Sequence, residues 1–267
     1  MMTVVMPYYD RQYQLNKTLE SYAKSAFKDF VVIIVDDGSP TDIVLPPCPF
    51  KVEVIKMTDK VWMSQVVPLN VGFLRALEYN PDIVLITEPE CYHIGDVLTC
   101  ASKVTQDKYL SFGCFKINRE MTYGYYDIEA LANKNKFIIT QDETGDWDQN
   151  VNAWGNHPTI DPVAFHYCCA ITKENLLKVN GFDERLAFGV SFEDDWFVRQ
   201  VQNAGLTIEI TEYPFVVHQW HERLSHNIMQ NAPQMWDKNY RVLFNELIPL
   251  NEYRAKHILT RDLHVES

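Results

Sequence analysis

The stretch that most restricts the fold of this 267-residue chain is FVVIIVDDGS at residues 30–39, where six apolar residues run without interruption into two aspartates, a glycine and a serine. A strand with one solvated face alternates apolar and polar residues, so an uninterrupted apolar run indicates a strand covered on both faces, as in a parallel sheet. A second apolar run, MTVVMP at residues 2–7, precedes it, and residues 15–23 carry a helical apolar pattern. This order predicts a strand–helix–strand unit.

The pattern continues along the first half of the chain. KVEVIKM and PDIVLITEPE predict two more strands, and NVGFLRALEY predicts a helix between them. The alternation predicts an α/β fold, with helices on both faces of a mostly parallel central sheet and a ligand crevice beyond the carboxyl ends of the strands. Three polar clusters, at residues 7–11, 36–39 and 88–93, are therefore expected on one rim.

The second half is less regular. Residues 118–162 are rich in Asn, Asp, Gly, Trp and Tyr with weak periodicity, which predicts a long, partly ordered excursion near the crevice. Beyond it, HYCCAIT and LTIEITEYPFVVHQWH predict strands and KENLLKVNG predicts a helix. An amphipathic helix is predicted near the end of the sequence from the spacing of Trp236, Tyr240, Leu243 and Leu247.

Charge and cysteine usage exclude some function classes. A formal net charge of −12 disfavours nucleic acid as a partner, because phosphate binding needs a basic surface. The six cysteines form no CxxC pair and no small-domain spacing, which indicates buried thiols in a reducing compartment. No apolar run approaches membrane-spanning length, and the first strand lacks a basic leader, so we expect no transmembrane segment and a cytoplasmic protein.

Three consecutive carboxylates, Glu193, Asp194 and Asp195, directly precede a helical apolar pattern in SFEDDWFVRQVQNAG. One interpretation is structural: Ser191 would be the N-cap, Asp194 would complete a capping box, and the acids would favour the positive end of the helix dipole. That arrangement would stabilise the chain by roughly 1–2 kcal/mol and would carry no chemistry. The other interpretation gives the carboxylates a role in proton transfer.

Several motifs occur together in a recognisable order: MPYYDRQYQLNKTLES, VVIIVDDGSPTD, NVGF, GFDERLAFGVSFEDDWFVRQVQNAGL and VVHQWH. In this order they resemble the GT-A glycosyltransferases of family 2, over about residues 2–221 with the middle excursion unmatched. The resemblance implies inverting transfer of a sugar from a nucleotide-sugar, with a UDP-sugar favoured, to a hydroxyl of a carbohydrate acceptor. A dinucleotide-binding dehydrogenase is disfavoured because no G-x-G-x-x-G follows either early strand.

The resemblance also implies a division of the chain. We expect one GT-A domain over residues 1–230, with a nucleotide-binding half at 1–110 and an acceptor-binding half at 111–230. A helical extension is expected over residues 231–267.

Donor contacts are implied for the first two polar clusters. A carboxylate at the tip of a strand can accept the N3–H of uracil, and the resemblance gives base or ribose contacts to Asp36 and Asp37, with Asp37 the preferred base reader. Main-chain groups near Pro7 and Tyr8 would frame the other side, with the Tyr8 ring stacked on the base and Arg11 near the diphosphate. Alternatively, the aspartates belong to a simple turn and Arg11 is a solvated residue at a helix start.

The third cluster departs from the family. Most members have Asp-x-Asp after the fourth strand, whereas this chain has Glu88 and Glu90 around a proline. Residues two apart in an extended strand share a face, so both glutamates are expected to address one divalent cation. The resemblance implies that a later histidine completes the site, with His218 a better match than His221, and imidazole favours Mn²⁺ over Mg²⁺. A solvated acidic loop and structural histidines are the alternative.

For the acidic stretch, the resemblance implies that Asp194 is the general base, that Glu193 orients the acceptor sugar and that Asp195 caps the helix. Aromatic residues that could stack on the acceptor are Trp147, Trp154 and Trp196.

Two other functions remain open from the sequence. One is a catalytically inactive sugar- or nucleotide-binding protein derived from such an enzyme, suggested by the Glu-x-Glu replacement. The other is a nucleotidyltransferase, which also uses an α/β sheet and carboxylate-held Mg²⁺. The Gly-rich, Arg/Lys-bearing loop that a nucleotidyltransferase should have after its first strand is absent.

Overall fold

A computed structural model describes residues 1–124, 127–135, 153–222 and 231–263 of the chain. Nine strands within these ranges form one sheet in the order β3-β2-β1-β4-β8-β6-β9-β5, with β7 paired to β6. The strands are β1 (Met2–Tyr8), β2 (Phe30–Asp36), β3 (Lys51–Lys56), β4 (Ile83–Thr87), β5 (Cys91–Ile94), β6 (Lys108–Lys116), β7 (Ala153–Asn156), β8 (Cys168–Thr172) and β9 (Thr207–His218).

Helices flank this sheet. They are α1 (Gln12–Ala23), α2 (Val66–Glu78), α3 (Val97–Ala101), α4 (Arg119–Tyr123), α5 (Ile128–Asn135), α6 (Lys173–Val179), α7 (Glu193–Asn203), α8 (Gln234–Arg241) and α9 (Ile248–Leu250). A 3-10 turn covers Glu184–Leu186, and a π-helical segment, Val242–Leu247, joins α8 to α9. None of the helices in the described ranges has both the length and the apolar composition that crossing a bilayer requires.

Strand directions confirm the predicted α/β fold with a mostly parallel sheet. The strands β1 to β4 are parallel to one another, and β8 runs antiparallel to β4. Because β6 is antiparallel to β8 and parallel to β9, six of the nine described strands share one direction, and β5, β7 and β8 oppose them. Within this parallel block, β1, β2 and β4 are buried throughout, whereas the edge strand β3 is largely exposed.

The two faces of β1 pack against different helices. Val4 belongs to the apolar cluster that contains Leu15 of α1, whereas Val5 belongs to the cluster that contains Phe73 of α2. This alternation follows from the period of two along a strand. A Cβ added at Gly72 would lie 2.4 Å from the Val5 side chain, so only glycine lets α2 approach β1 this closely.

Two of the quoted motifs meet in the core. Asn70 of the NVGF motif donates to the Phe182 carbonyl and to Glu184, and it accepts from the Phe182 backbone N–H. Glu184 in turn accepts hydrogen bonds from the backbone N–H groups of residues 258–260. The buried asparagine and glutamate therefore tie α2, the segment before α7 and the C-terminal part of the chain together.

Two local predictions need correction. The predicted irregular excursion at residues 118–162 contains α4, α5 and β7 within its described residues, and its Trp147 lies outside the described residues. The single amphipathic helix predicted near the end is interrupted by the π-helical segment. Its expected apolar face is divided: Leu243 and Leu247 are buried, whereas Trp236 and Tyr240 are exposed.

Candidate active site

A pocket of about 310 Å³ lies at the carboxyl edge of the parallel strands. That volume is at the small end of those typical for ligand pockets. The pocket receives eight of the residues predicted for the site: Pro7, Tyr8, Arg11, Asp37, Glu88, Glu90, Glu193 and His218. Its wall does not include four others, namely Asp36, Asp194, Trp154 and Trp196.

The two aspartates after β2 have different environments. Asp36 is buried outside the pocket wall, and its Oδ1 accepts the Ser39 backbone N–H over 2.8 Å, so its carboxylate closes the turn; its contact with a base or ribose stays a prediction. Asp37 lines the pocket, where its Oδ1 accepts from Trp62 Nε1 over 2.7 Å and its Oδ2 pairs with Lys60. Burial raises the pKa of Asp37, and Lys60 opposes that rise.

The predicted stacking of the Tyr8 ring on a base is wrong. The Tyr8 side chain belongs to the apolar cluster around α1 and is only 2% exposed, so its ring offers almost no free face. Tyr9 also lines the pocket and is less buried, and the Lys60 ammonium lies 5.5 Å from the centre of its ring. The aromatic surface on this wall is therefore that of Tyr9.

Arg11 is held in place by main-chain groups. Its guanidinium donates to the carbonyls of Tyr9 and Asp10, each over 3.1 Å, and to the carbonyl of Glu222 over 2.9 Å. Because carbonyl oxygens do not neutralise the guanidinium, a positive charge is fixed at the pocket wall. The interpretation of Arg11 as a freely solvated residue is therefore excluded.

The antiparallel pairing of β5 with β9 brings together residues that are distant in sequence. Cys91 pairs with His218, so Glu90 lies beside the histidines that end β9 and follow it. Glu90 Oε1 lies 2.8 Å from His221 Nε2 and 3.6 Å from His218 Nε2. One donor atom from each of these side chains lies within 4.8 Å of the others. Glu88 Oε2 faces the same group, 3.6 Å from His218 Nε2.

The cluster Glu90, His218 and His221 fits a divalent cation. Glu90 Oε2 is buried and has no hydrogen-bond partner among the described residues, which is costly unless a cation or another donor pairs with it. Burial raises the pKa of Glu90, but His221 and then His218 outweigh that effect and hold the pKa below its usual value. Burial lowers the pKa of His218, which favours the neutral imidazole that metal binding requires.

The expectation that Glu88 and Glu90 share one face of an extended strand is wrong, because β4 ends before them and both lie in the turn that leads into β5. The two carboxylates nevertheless both reach His218. His221, ranked second from the sequence, lies closer to Glu90 than His218 does.

The acidic stretch starts α7 without a side-chain cap. Helix α7 begins at Glu193, its N-cap is Phe192, and no side chain caps it, so the expected capping by Ser191 and by Asp195 is wrong. Ser191 and Phe192 have φ of 67° and 72°, in the left-handed region. Such a conformation costs a non-glycine residue about 1–3 kcal/mol and is typical of functional sites.

The two carboxylates that follow point to different neighbours. Glu193 lines the pocket, and its Oε2 is buried without a hydrogen-bond partner among the described residues. Burial, and then the adjacent Asp194 carboxylate, raise the pKa of Glu193 to about 7. Asp194 Oδ1 instead accepts the backbone N–H of His166 over 3.0 Å and pairs with its Nδ1.

His166 is buried between Asp194 and the pocket wall. Its Nε2 lies 2.8 Å from the side-chain amide of Gln65, which lines the pocket. Burial lowers the pKa of His166, but the Asp194 carboxylate overrides that effect and the pKa rises to about 9. At neutral pH His166 is therefore protonated, and it pairs with the partly exposed carboxylate of Asp194.

The predicted stacking roles of Trp154 and Trp196 are wrong. Trp196 is 2% exposed and packs in an apolar cluster with Leu186, Leu243 and Leu247. Trp154 is 7% exposed and packs edge-on against Phe115. Both indoles fill the core, so neither offers a free face to a sugar.

Sequence reasoning missed four residues of the site, Lys60, Trp62, Gln65 and His166. Lys60, Trp62 and Gln65 lie in the loop after β3. Because loops that follow parallel strands lie at the carboxyl edge of the sheet, this position could have indicated that the three residues belong to the site. His166 comes just before β8. Because β8 runs antiparallel to β4, its first residues lie at the same edge as the last residues of β4, with Cys168 opposite Thr87.

Comparisons with known proteins identify a similar family and similar folds. Residues 3–58 match the model of the family described as Glycosyl transferase family 2. No curated protein matches the sequence at a significant level.

Several solved structures share the fold at low identity. The mannosyltransferase PcManGT from Pyrobaculum calidifontis, in complex with GDP-Man and Mn²⁺, is 15% identical with a TM-score of 0.55, over 92% of this chain and 64% of that one. S. aureus TarS is 15% identical with a TM-score of 0.55, over 91% and 40%. TarS residues 1–349 in complex with UDP-GlcNAc give a TM-score of 0.57 at 15% identity, over 85% and 60%.

The chain thus spans between 40% and 64% of the length of these three structures. At such identities the likeness shows the fold, and the family model independently matches the segment from β1 to the residues after β3. The chain therefore has the fold of these glycosyltransferases, and its residues 3–58 are similar to Glycosyl transferase family 2.

Proposed function

We propose that this protein is an inverting glycosyltransferase that moves a sugar from a UDP-sugar to a hydroxyl group of a carbohydrate acceptor. The observation that carries the proposal is that one pocket combines Asp37, the Glu90–His218–His221 cluster and Glu193. These groups come from four separated parts of the sequence and match the three needs of the reaction: a nucleoside contact, a site for a diphosphate-bound cation and an acid–base carboxylate. The expected halves, residues 1–110 and 111–230, would hold donor and acceptor, with the extension from residue 231 beside them.

On the donor side, Asp37 is the base reader. A carboxylate has about four lone-pair positions, so Asp37 can accept the uracil N3–H while keeping Trp62 and Lys60. Tyr9 supplies an aromatic face on the same wall, and Arg11 supplies a fixed positive charge for the diphosphate. These contacts offset the net charge of −12, which would otherwise repel an anionic donor.

Glu90, His218 and His221 would hold a divalent cation, with Glu88 facing the same group. The bound cation would supply positive charge that stabilises the departing diphosphate. Two imidazoles in the donor set favour Mn²⁺ over Mg²⁺, which prefers oxygen ligands.

Transfer needs a base for the acceptor hydroxyl. In the first assignment Asp194 takes the hydroxyl proton, the acceptor oxygen forms a bond to the anomeric carbon, and the bond from that carbon to the diphosphate breaks with its electron pair leaving on the nucleotide. His166 would hold the Asp194 carboxylate in place through their ion pair, and Glu193 would orient the acceptor. In the second assignment Glu193 is the base, which is favoured by its place in the pocket wall and its pKa of about 7.

Calorimetry with UDP, GDP and dTDP, with Mn²⁺ and with a chelator, tests the donor and cation parts of the proposal. We expect UDP to bind most tightly and the binding to be lost with the chelator. A hydrolysis screen of UDP-, GDP- and dTDP-sugars then identifies the donor. Absence of nucleotide binding would refute the proposal, and UDP binding without turnover of any donor would instead indicate an inactive binding protein.

A further inference from the structure

Exposed aromatic rings lie along one side of the C-terminal helix, next to the pocket. Trp236, Tyr240 and Phe244 follow one another at intervals of four residues, about one helical turn. They are 36%, 41% and 44% exposed, respectively. The ring centres are 5.1 Å apart for Trp236 and Tyr240 and 4.5 Å apart for Tyr240 and Phe244. With Phe192, whose ring centre lies 5.1 Å from that of Trp236, these residues form what we call the ring strip.

The ring strip is mounted rigidly. On the opposite side of the same helical segment, Leu243 and Leu247 are buried in the cluster around Trp196. Asn239 is buried and donates to the carbonyls of Leu186 and Ser191, each over 3.0 Å. Three exposed rings and the half-buried ring of Phe192, on a fixed support, are therefore a stable feature of the surface.

The ring strip is continuous with the pocket. Phe192 lies between Ser191 and Glu193, and both of these neighbours line the pocket. Its ring contacts those of Tyr240 and Phe244 at centre distances of 6.0 and 6.2 Å, in addition to Trp236. A ligand that left the pocket past Glu193 would meet the ring strip next.

We infer that the ring strip binds a saccharide chain whose end residue occupies the pocket as the acceptor. The inference rests on the proposed transferase function. Exposed aromatic side chains that form a contiguous apolar patch mark binding sites, and Trp and Tyr combine an apolar ring with a polar N–H or O–H that can bond to a sugar hydroxyl. An anionic membrane surface fits less well, because the chain carries a net charge of −12 and basic residues are what such a surface attracts.

Saccharide binding is tested without nucleotide, by tryptophan fluorescence and saturation-transfer NMR, with β-1,4-linked pentasaccharides of N-acetylglucosamine, glucose and mannose. We expect the wild-type protein to bind at least one of them. Trp236→Ala and Tyr240→Ala should weaken that binding at least ten-fold, and Trp236→Phe should largely restore it. Val44→Ala, at a 72% exposed position on the β2–β3 loop, is the control and should bind as wild type.

Three results would overturn the inference: no pentasaccharide binds the wild-type protein, the alanine variants bind as well as wild type, or the ring strip instead drives sedimentation with phosphatidylglycerol vesicles. Thermal unfolding of each variant shows whether it is folded. UDP binding with Mn²⁺ is measured separately and should be equal in all variants. A failure of nucleotide binding with saccharide binding intact would refute the proposed donor chemistry and leave the ring strip as a binding site.

Discussion

One oxygen of Asp194 accepts the backbone N–H of His166 and also forms an ion pair with Nδ1 of its imidazole. The imidazole is 1% exposed, whereas the Asp194 side chain is 26% exposed. Burial alone would lower the pKa of His166, but the Asp194 carboxylate raises it to about 9. A protonated imidazole therefore lies beside two adjacent carboxylates, those of Asp194 and Glu193, at neutral pH.

The ion pair makes stability depend on pH. The pKa of His166 is about 9 in the folded chain against 6.5 when unperturbed, so the folded state binds the proton more tightly than the unfolded state. The resulting stabilisation, about 3 kcal/mol, is fully present below pH 6.5 and is lost as the pH rises through 9. We expect urea unfolding to show this decline in wild type and not in His166→Gln or Asp194→Asn. Parallel curves for wild type and variants would refute the ion pair.

Asp194→Asn should lower the rate of sugar transfer by about 100-fold or more if Asp194 is the base, because general base catalysis contributes at that level. Nucleotide affinity should change little. The matched control is Asp195→Asn, since Asp195 is exposed and caps nothing. Steady-state kinetics and UDP calorimetry on both variants provide the measurement. Equal activity of the two variants would remove Asp194 from the reaction.

Glu193 should set the acid limb of the pH–rate profile. Its carboxyl has a pKa of about 7, and we expect the ionised form to be the active one in either assignment. The value of kcat/KM should therefore fall as the pH drops below about 7, and Glu193→Gln should remove that limb. If Glu193→Gln loses as much activity as Asp194→Asn, Glu193 is the base; if it keeps a tenth or more, it orients the acceptor. If kcat/KM of Glu193→Gln still falls below about pH 7, a titratable group other than Glu193 causes that fall.

Cation binding should depend most on Glu90 and His221, whose facing atoms are 2.8 Å apart. Glu90→Gln and His221→Ala should each weaken Mn²⁺-dependent UDP binding at least ten-fold, because they remove donor atoms from the cluster. Glu88→Gln should have a smaller effect, since Glu88 contacts only the edge of the group. The control is Glu20→Gln on the exposed side of α1. Calorimetry that finds a larger loss of Mn²⁺-dependent UDP binding in Glu88→Gln than in Glu90→Gln would contradict this prediction.

Trp196 should matter for stability. It is 2% exposed and packs against Leu186, Leu243 and Leu247, so Trp196→Ala should lower the free energy of unfolding by about 3–5 kcal/mol. Trp196→Phe should lower it less, because a ring still fills part of the space. Chemical denaturation of both variants checks this. If Trp196→Ala is as stable as wild type but binds the acceptor more weakly, Trp196 contacts the acceptor sugar and this prediction is wrong.

The central parallel strands β1, β2 and β4 could be predicted from sequence because burial on both faces leaves a signal in each of them. Residues 30–36 are apolar up to Asp36 and are all buried, and the polar residues that follow such strands must meet at one edge. This reasoning placed Asp37 and Glu90 on the pocket correctly. Partner strands in the second half could not be predicted, because an apolar strand does not reveal its direction or its neighbour. The position of His166 depends on the direction of β8, and that of His221 on the pairing of β9 with β5.

The burial of individual aromatic residues could not be predicted from the sequence. A tryptophan can be exposed or buried, and only the packing of α7 against the C-terminal segment shows that Trp196 is buried and Trp236 is exposed. The helical spacing of residues 236–247 was recognised, but the π-helical segment turns Leu243 and Leu247 inward and leaves the rings outward.

The β5–β9 pairing has a consequence for biosynthesis. Glu90 is made more than a hundred residues before His218 and His221, and the three come together only when β9 has joined the sheet. A growing polypeptide that ends before β9 thus contains Asp37 and Glu90 but lacks the two histidines of the cluster. The proposed cation could therefore bind the complete cluster only after the ribosome has delivered the last strand, so ion uptake would report that the whole sheet has been assembled.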